Sequence, residues 1–195
     1  MLANRTAERR SFSAPSEVRA RLTRLLAGGP IGPGVLGLYT GGTLAHEAHL
    51  LLDELLGQGA GKRILDLGDD RYTVGRPHPM IDPQTRTDMI RKAGEEEAGV
   101  LLLDLVLGRG SHPNPAAPLA DAVRRATATA QASGRRMVAV GSVVGTAGDP
   151  QDIAGQVAQL QEAGIEVLPS NAEAVRFAAL LVKPELGDTL LGGAR

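Results

Sequence analysis

Cysteine is absent from the 195 residues, which excludes disulfides, zinc–thiolate sites and cysteine nucleophiles. Tryptophan is absent too, and aromatic residues make up only 2% of the chain, so a platform for stacking single-stranded nucleic acid or sugars lacks its material. No apolar run approaches the roughly 20 residues that a membrane-spanning helix needs. The formal net charge is −1 and no long basic stretch occurs. That removes the electrostatic case for a nucleic-acid or membrane-surface partner. The charged start, Met1 to Arg10, has no apolar segment after it of the kind a secretory leader carries. These absences together predict a cytoplasmic protein.

What is present suits one compact α/β domain. Hydrophobic residues make up 43% of the chain, enough for a core built of Leu, Val, Ile and Ala. Residues 1–33 read as an N-terminal arm. They hold a short helical stripe, Val18, Leu22, Leu25 and Leu26, ended by the run Gly28 to Gly34. Residues 34–195 read as a single domain. Five near-continuously apolar runs predict strands: Val35 to Tyr39, Arg63 to Leu67, Val100 to Leu107, Met137 to Val144, and Ile165 to Leu168. Unbroken apolar strands are covered on both faces, as in parallel sheets. Amphipathic helices lie between them, such as the stripe Leu44, Ala48, Leu51, Leu52, Leu55 and Leu56. The alternation predicts a flavodoxin-like, doubly wound parallel sheet of strand order 2-1-3-4-5.

Helix starts carry explicit signals. Asp82-Pro83, Asn114-Pro115 and Asp149-Pro150 each place a capping residue before a proline suited to the first helical position. Ser170-Asn-Ala-Glu173 fits a capping box. Gly134 and Gly164 read as helix stops. In such a sheet the loops after the strands share one edge, and ligands bind beyond it.

Four of those loops carry candidate chemistry. The first is Thr40-Gly41-Gly42-Thr43, where glycines allow close approach and a helix start offers N–H groups to an anion. A plain tight turn fits the same residues. No Gly-Lys-Ser/Thr follows, so it is not a P-loop, nor is it a Gly-x-Gly-x-x-Gly dinucleotide motif. The second loop, Asp66 to Pro83, is too long and polar for a simple connection. It offers Arg76 as a planar fork for carboxylate or phosphate. Its His78 is held between Pro77 and Pro79. Asp69 and Asp70 suit metal or proton binding, or merely satisfy loop N–H groups, and Asp82 reads first as a helix cap. The third loop brings Gly108, Arg109, Ser111 and His112; the fourth runs from Gly141 to Pro150. His46 and His49 have no third metal ligand and read as helix-surface residues.

Gly37-Leu-Tyr-Thr-Gly-Gly-Thr-Leu44 and Ile64 to Pro83 resemble hallmarks of the FdrA family, acyl-CoA-synthetase-like proteins related to succinyl-CoA ligase. Leu101 to Gly108, Val144 to Gln151 and Leu160 to Val167 fit in the same order, so the resemblance runs from about Val35 to Leu181. It implies a fold like the carboxy-terminal domain of the succinyl-CoA ligase β subunit. In that ligase, a helix N-terminus of this domain helps bind a phosphohistidine carried by the other subunit. Gly68 to Pro79 would correspond to the glycine-rich segment after that domain's second strand.

The FdrA resemblance also implies a subunit of an oxamate-carbamoyltransferase-type enzyme of allantoin breakdown, converting oxalurate and phosphate to oxamate and carbamoyl phosphate. A succinyl-CoA-ligase-type acyl-CoA synthetase subunit and a non-catalytic assembly module are the alternatives. Longer family members carry a CoA-binding-type domain before this module and further sequence after it. The expectation is therefore a stand-alone subunit that needs a partner, or a truncated copy. It would act as a homodimer or in a complex with a CoA-binding-domain-type or transferase subunit. No cofactor is expected on this chain alone; phosphate or carbamoyl phosphate is the expected ligand, with CoA supplied through a partner. The catalytic candidates are His78, Arg76 and Asp82. The ligand-binding candidates are Thr40, Gly41, Gly42, Thr43, Asp69, Asp70, Gly108, Ser111 and His112.

Overall fold

The computed structural model describes residues 11–59 and 61–192. Five strands form one sheet: β1 (Val35–Tyr39), β2 (Lys62–Asp66), β3 (Val100–Val106), β4 (Val138–Val144) and β5 (Glu166–Leu168). Their order is β2-β1-β3-β4-β5 and every pairing is parallel, as the apolar strands predict. The register sets Val35 beside Lys62 and Val100, and Val100 beside Val138. Strand ends differ from the sequence reading by one residue at most, because the flanking apolar residues stay buried after the ladder stops. Leu67 and Leu107 are such cases.

Helices cover both faces. On one lie α1 (Pro15–Ala27), α2 (Gly42–Leu56) and α7 (Asn171–Val182), closing a core with Val35, Tyr39, Leu102, Val140 and Phe177. On the other lie α4 (Gln84–Ala93), α5 (Ala116–Ala132) and α6 (Ile153–Glu162), over Leu36, Leu38, Leu101, Leu103 and Val123. Alternate residues of β3 feed the two cores, which is why its sequence shows no polar face. Two one-turn helices, α3 (Asp70–Thr73) and α8 (Gly187–Leu190), and a 3-10 turn over Pro184–Leu186 complete the set among the described residues.

The segment expected as an arm packs into the body of the fold from residue 11 onward. Phe12, Val18, Leu22 and Leu25 are buried in the first core. The Ser13 backbone N–H donates to Glu173 Oε1 at 3.2 Å, and Arg21 Nη1 donates to the Val167 carbonyl at 3.1 Å. The apolar stripe thus finds its partner within the chain, so residue 34 does not divide α1 from the core. Residues 1–10 of that expected arm lie outside the described residues.

Several helix starts depart from the proline signals. Asp82 Oδ1 accepts from the Gln84 N–H at 3.0 Å, the first N–H of α4, but the cap position falls on Pro83 and the helix begins after it rather than on it. Asn114 caps nothing: its Oδ1 is buried without a partner, and the Ala116 N–H donates instead to Gln156 Oε1 of α6 at 2.9 Å. Asp149 Oδ2 accepts from the Thr146 N–H at 2.6 Å, closing a turn three residues ahead of α6. That helix starts after Asp152, which takes a left-handed φ of 51°. Ser170 Oγ accepts from the Glu173 N–H at 3.2 Å as the capping box predicts, but Glu173 turns away to Ser13.

Candidate functional site

The carboxyl edge of the sheet gathers the polar loops. β1 and β3 pair as far as Leu38 and Leu103, then lead to helices on opposite faces. That divergence opens the crevice in which sheets of this kind usually bind ligands. Here the chain fills it. Asp104, the one charged residue of β3, accepts from Thr40 N–H and Gly41 N–H, both at 2.9 Å, and from Thr40 Oγ1 at 3.1 Å. Arg86 reaches across from α4. Its Nη2 donates to Asp104 Oδ1 at 2.8 Å, to the Asp104 carbonyl at 2.7 Å and to the Leu38 carbonyl at 2.8 Å. Burial draws the Arg86 pKa below the ordinary guanidinium value, and Asp104 opposes the fall. Beside this pair, Tyr39 donates its hydroxyl to Asn171 Oδ1 at 3.0 Å, and Asn171 Nδ2 donates to Glu47 Oε2 at 2.7 Å. Burial first, then the Asp104 charge, hold the Tyr39 phenol well above the usual tyrosine range.

Two donors of the first candidate turn, at Thr40 and Gly41, are therefore committed to an internal carboxylate. Gly42 and Thr43 open α2, and a second carboxylate stands there as well. A Cβ at Gly42 would meet Asp66 Oδ2 at 2.6 Å, while Asp66 Oδ1 accepts from the Gly68 N–H at 2.9 Å.

Farther out, the second and third loops meet. His78, Met80, Ile81, Leu107, Gly108, Arg109, Gly110 and Ser111 line an open cavity of about 420 Å³. The His112 N–H ties the loops together by donating to the Met80 carbonyl at 2.7 Å. Gln151, which is 4% exposed, holds the third loop from behind. Its Oε1 accepts from the Gly108 N–H at 3.2 Å, and its Nε2 donates to the Gly108 carbonyl at 2.7 Å and Ser111 Oγ at 2.9 Å. Arg109 at the rim is exposed and has no side-chain partner among the described residues; the Arg109 and Gly110 N–H groups are likewise uncommitted. His78 Nδ1 accepts from the Met80 N–H at 3.2 Å. An acceptor nitrogen carries no proton, so the neutral ring holds its hydrogen on Nε2. His78 is thus fixed as a donor tautomer. Its Nε2 rests on Gly68, where an added Cβ would come within 2.5 Å.

The candidates thus divide. His78, Gly108 and Ser111 share the open cavity. Thr40 and His112 line a much smaller enclosed space with Met80 and Arg86. Arg76 lines neither; it points along α4, with Nη1 3.4 Å from Thr85 Oγ1. Asp69 accepts from the Arg71 N–H at 3.0 Å, and Asp70 opens α3 on the surface. Among the described residues no three His, Asp or Glu side chains group as a metal would require. The sequence reading missed Asp104, Arg86 and Gln151, and named Arg109 in the third loop without a binding role. A lone carboxylate inside Leu101-Leu-Leu-Asp-Leu-Val-Leu107 was the available signal for the first two, since a buried charge demands a partner.

The family model described as CoA-ligase matches residues 38–181. This chain belongs to the CoA-ligase family. The match spans all five strands of the sheet except the first residues of β1, and it includes every loop described above. A relative, "Uncharacterized protein YahF" of Escherichia coli (strain K12), is 33% identical over 175 residues, covering 80% of this chain and 33% of that protein. The chain therefore spans about a third of that relative's length. Among solved structures, the Ca. Korarchaeum cryptofilum dinucleotide forming acetyl-coenzyme A synthetase 1 in its apo form aligns with a TM-score of 0.59 at 14% identity. The alignment covers 90% of this chain and 39% of that one, and supports the CoA-ligase fold. Among the described residues no helix is long and apolar enough to cross a membrane.

Proposed function

We propose that this chain is the CoA-ligase-type module of an acyl-transfer enzyme, and that an acyl phosphate binds between its second and third loops. The observation that carries the reading is the cavity walled by His78, Met80, Ile81 and Leu107 and rimmed by the uncommitted Arg109. An acyl phosphate has a small body and a dianionic head. The body fits against Met80, Ile81 and Leu107; the head takes charge-assisted bonds from Arg109 and the N–H groups of Arg109 and Gly110. Fixed donors of this kind stabilise charge that develops as phosphate and acyl carbon part. His78 forms part of the wall, its ring held by the Met80 N–H bond to Nδ1. CoA and nucleotide would come from partner chains, in a hetero-complex or a homodimer.

Within this class, a narrower reading follows the FdrA resemblance: the acyl group is a carbamoyl, exchanged between oxalurate and phosphate. What favours it is that the FdrA-like stretch Asp66 to Pro83 supplies one wall of the cavity. The test is turnover by the chain assembled with its natural partner proteins. CoA- and nucleotide-dependent acyl transfer is expected for the general reading, and carbamoyl phosphate formed from oxalurate and phosphate for the narrower one. In either reaction Arg109→Ala should raise KM for the phosphorylated ligand roughly tenfold or more, the loss of one charge-assisted bond of about 1.5–3 kcal/mol. Absence of both reactions, or an unchanged KM, would sink the proposal.

A further inference from the structure

The crevice between the diverging ends of β1 and β3 holds an arrangement normally made around a bound anion. Thr40 N–H, Thr40 Oγ1, Gly41 N–H and Arg86 Nη2 converge on one carboxylate, that of Asp104. The side chains of Arg86 and Asp104 are 4% and 0% exposed, so water supplies none of this coordination. Arg86 is further fixed by its Nε, which donates to the Leu38 carbonyl at 3.0 Å. The Arg86 arm of the cradle would therefore keep its place with the carboxylate gone.

We infer that Asp104 is a resident anion. Its carboxylate occupies a carboxylate-binding cradle built from Thr40, Gly41 and Arg86, and by doing so it positions the β1–α2 turn. Asp104 and Arg86 are positioning residues, and the crevice admits an external carboxylate only when the Asp104 carboxylate is removed. This inference stands apart from the acyl-phosphate reading, because its readout is stability rather than turnover.

The test is Asp104→Ala, which deletes the carboxylate and leaves a formate-sized space beside a buried, unpaired cation. The variant should melt roughly 10 °C below the parent, the scale expected for breaking a buried pair in a domain of this size. Sodium formate should then raise the variant's Tm along a saturating curve and restore at least half of the loss, as a ligand specific to the folded state does. Sodium chloride at equal ionic strength should not, and the parent should respond to the two salts alike. Asp104→Ala combined with Arg86→Met removes the unpaired cation; it should melt above the single variant and lose the formate response. If Asp104→Ala does not fold in plain buffer, its refolding yield in formate against chloride gives the same readout. Equal responses to formate and chloride in the single variant, or a formate response that survives in the double variant, would overturn the inference.

Discussion

Gln151 gives the sharpest test of how the candidate site is held. It lies before α6, yet its amide grips the third loop at Gly108 and Ser111. Gln151→Ala removes the acceptor for the Gly108 N–H outright. The Gly108 carbonyl keeps two donors, Ser111 Oγ at 2.8 Å and the Ser111 N–H at 3.3 Å, so it is not orphaned. One stranded donor costs about 1–3 kcal/mol and each of the two other lost bonds about 1 kcal/mol, so the total is about 3–5 kcal/mol. For a domain of this length that lowers Tm by roughly 6–20 °C. The assay is calorimetry paired with native-state hydrogen exchange. Exchange at Ser111 and His112 should quicken more than at Leu103 of the central strand, because the loop loosens before the sheet opens. Gln151→Glu is the control: it keeps the acceptor but turns a charge toward the Gly108 carbonyl, and should do no better than alanine at neutral pH. A Tm within 2 °C of the parent, with loop exchange unchanged, would refute the idea that Gln151 organises the cavity wall.

Two further outcomes follow from the geometry. Gly68→Ala should displace His78, since the new methyl falls within 2.5 Å of Nε2; the His78 ring signals in an NMR spectrum should shift, and an unmoved spectrum would contradict the packing. Tyr39 is held neutral in the fold by burial and the Asp104 charge, so its contribution is complete below the unfolded tyrosine pKa, about 10, and is lost as pH rises above it. Alkaline unfolding should therefore be less steep in Tyr39→Phe; identical pH curves for the two proteins would count against a neutral Tyr39.

The sheet was legible because burial on both faces leaves a strand no polar alternation, and five such runs with helices between them admit few topologies. Helix starts were less so. Asp82-Pro83, Asn114-Pro115 and Asp149-Pro150 look alike in one dimension, but only Asp82 bonds the helix that follows, because loop geometry decides where a short carboxylate or amide can reach. The second and third loops were marked by their composition, and His78, Gly108 and Ser111 do share a cavity. Arg86 was illegible for the opposite reason: Gln84-Thr-Arg-Thr-Asp88 reads as a solvated helix face, and nothing local tells which cation turns inward. Gln151 and Gln156 act on segments some 40 residues away, beyond the range of any local pattern.

The bond between Ser13 and Glu173 joins positions 160 residues apart, and it marks where the first helix meets the last large one. A ribosome adds about 5–20 residues per second, so α1 waits on the order of 10–30 s after synthesis for the surface that buries it. During that interval Val18, Leu22 and Leu25 have no native partner from α7, and the first core cannot close. The opposite face has no such delay, because α4, α5 and α6 follow one another and pack as neighbours. Vectorial synthesis therefore finishes one side of the sheet early and leaves the other dependent on whatever shields an apolar helix in the meantime.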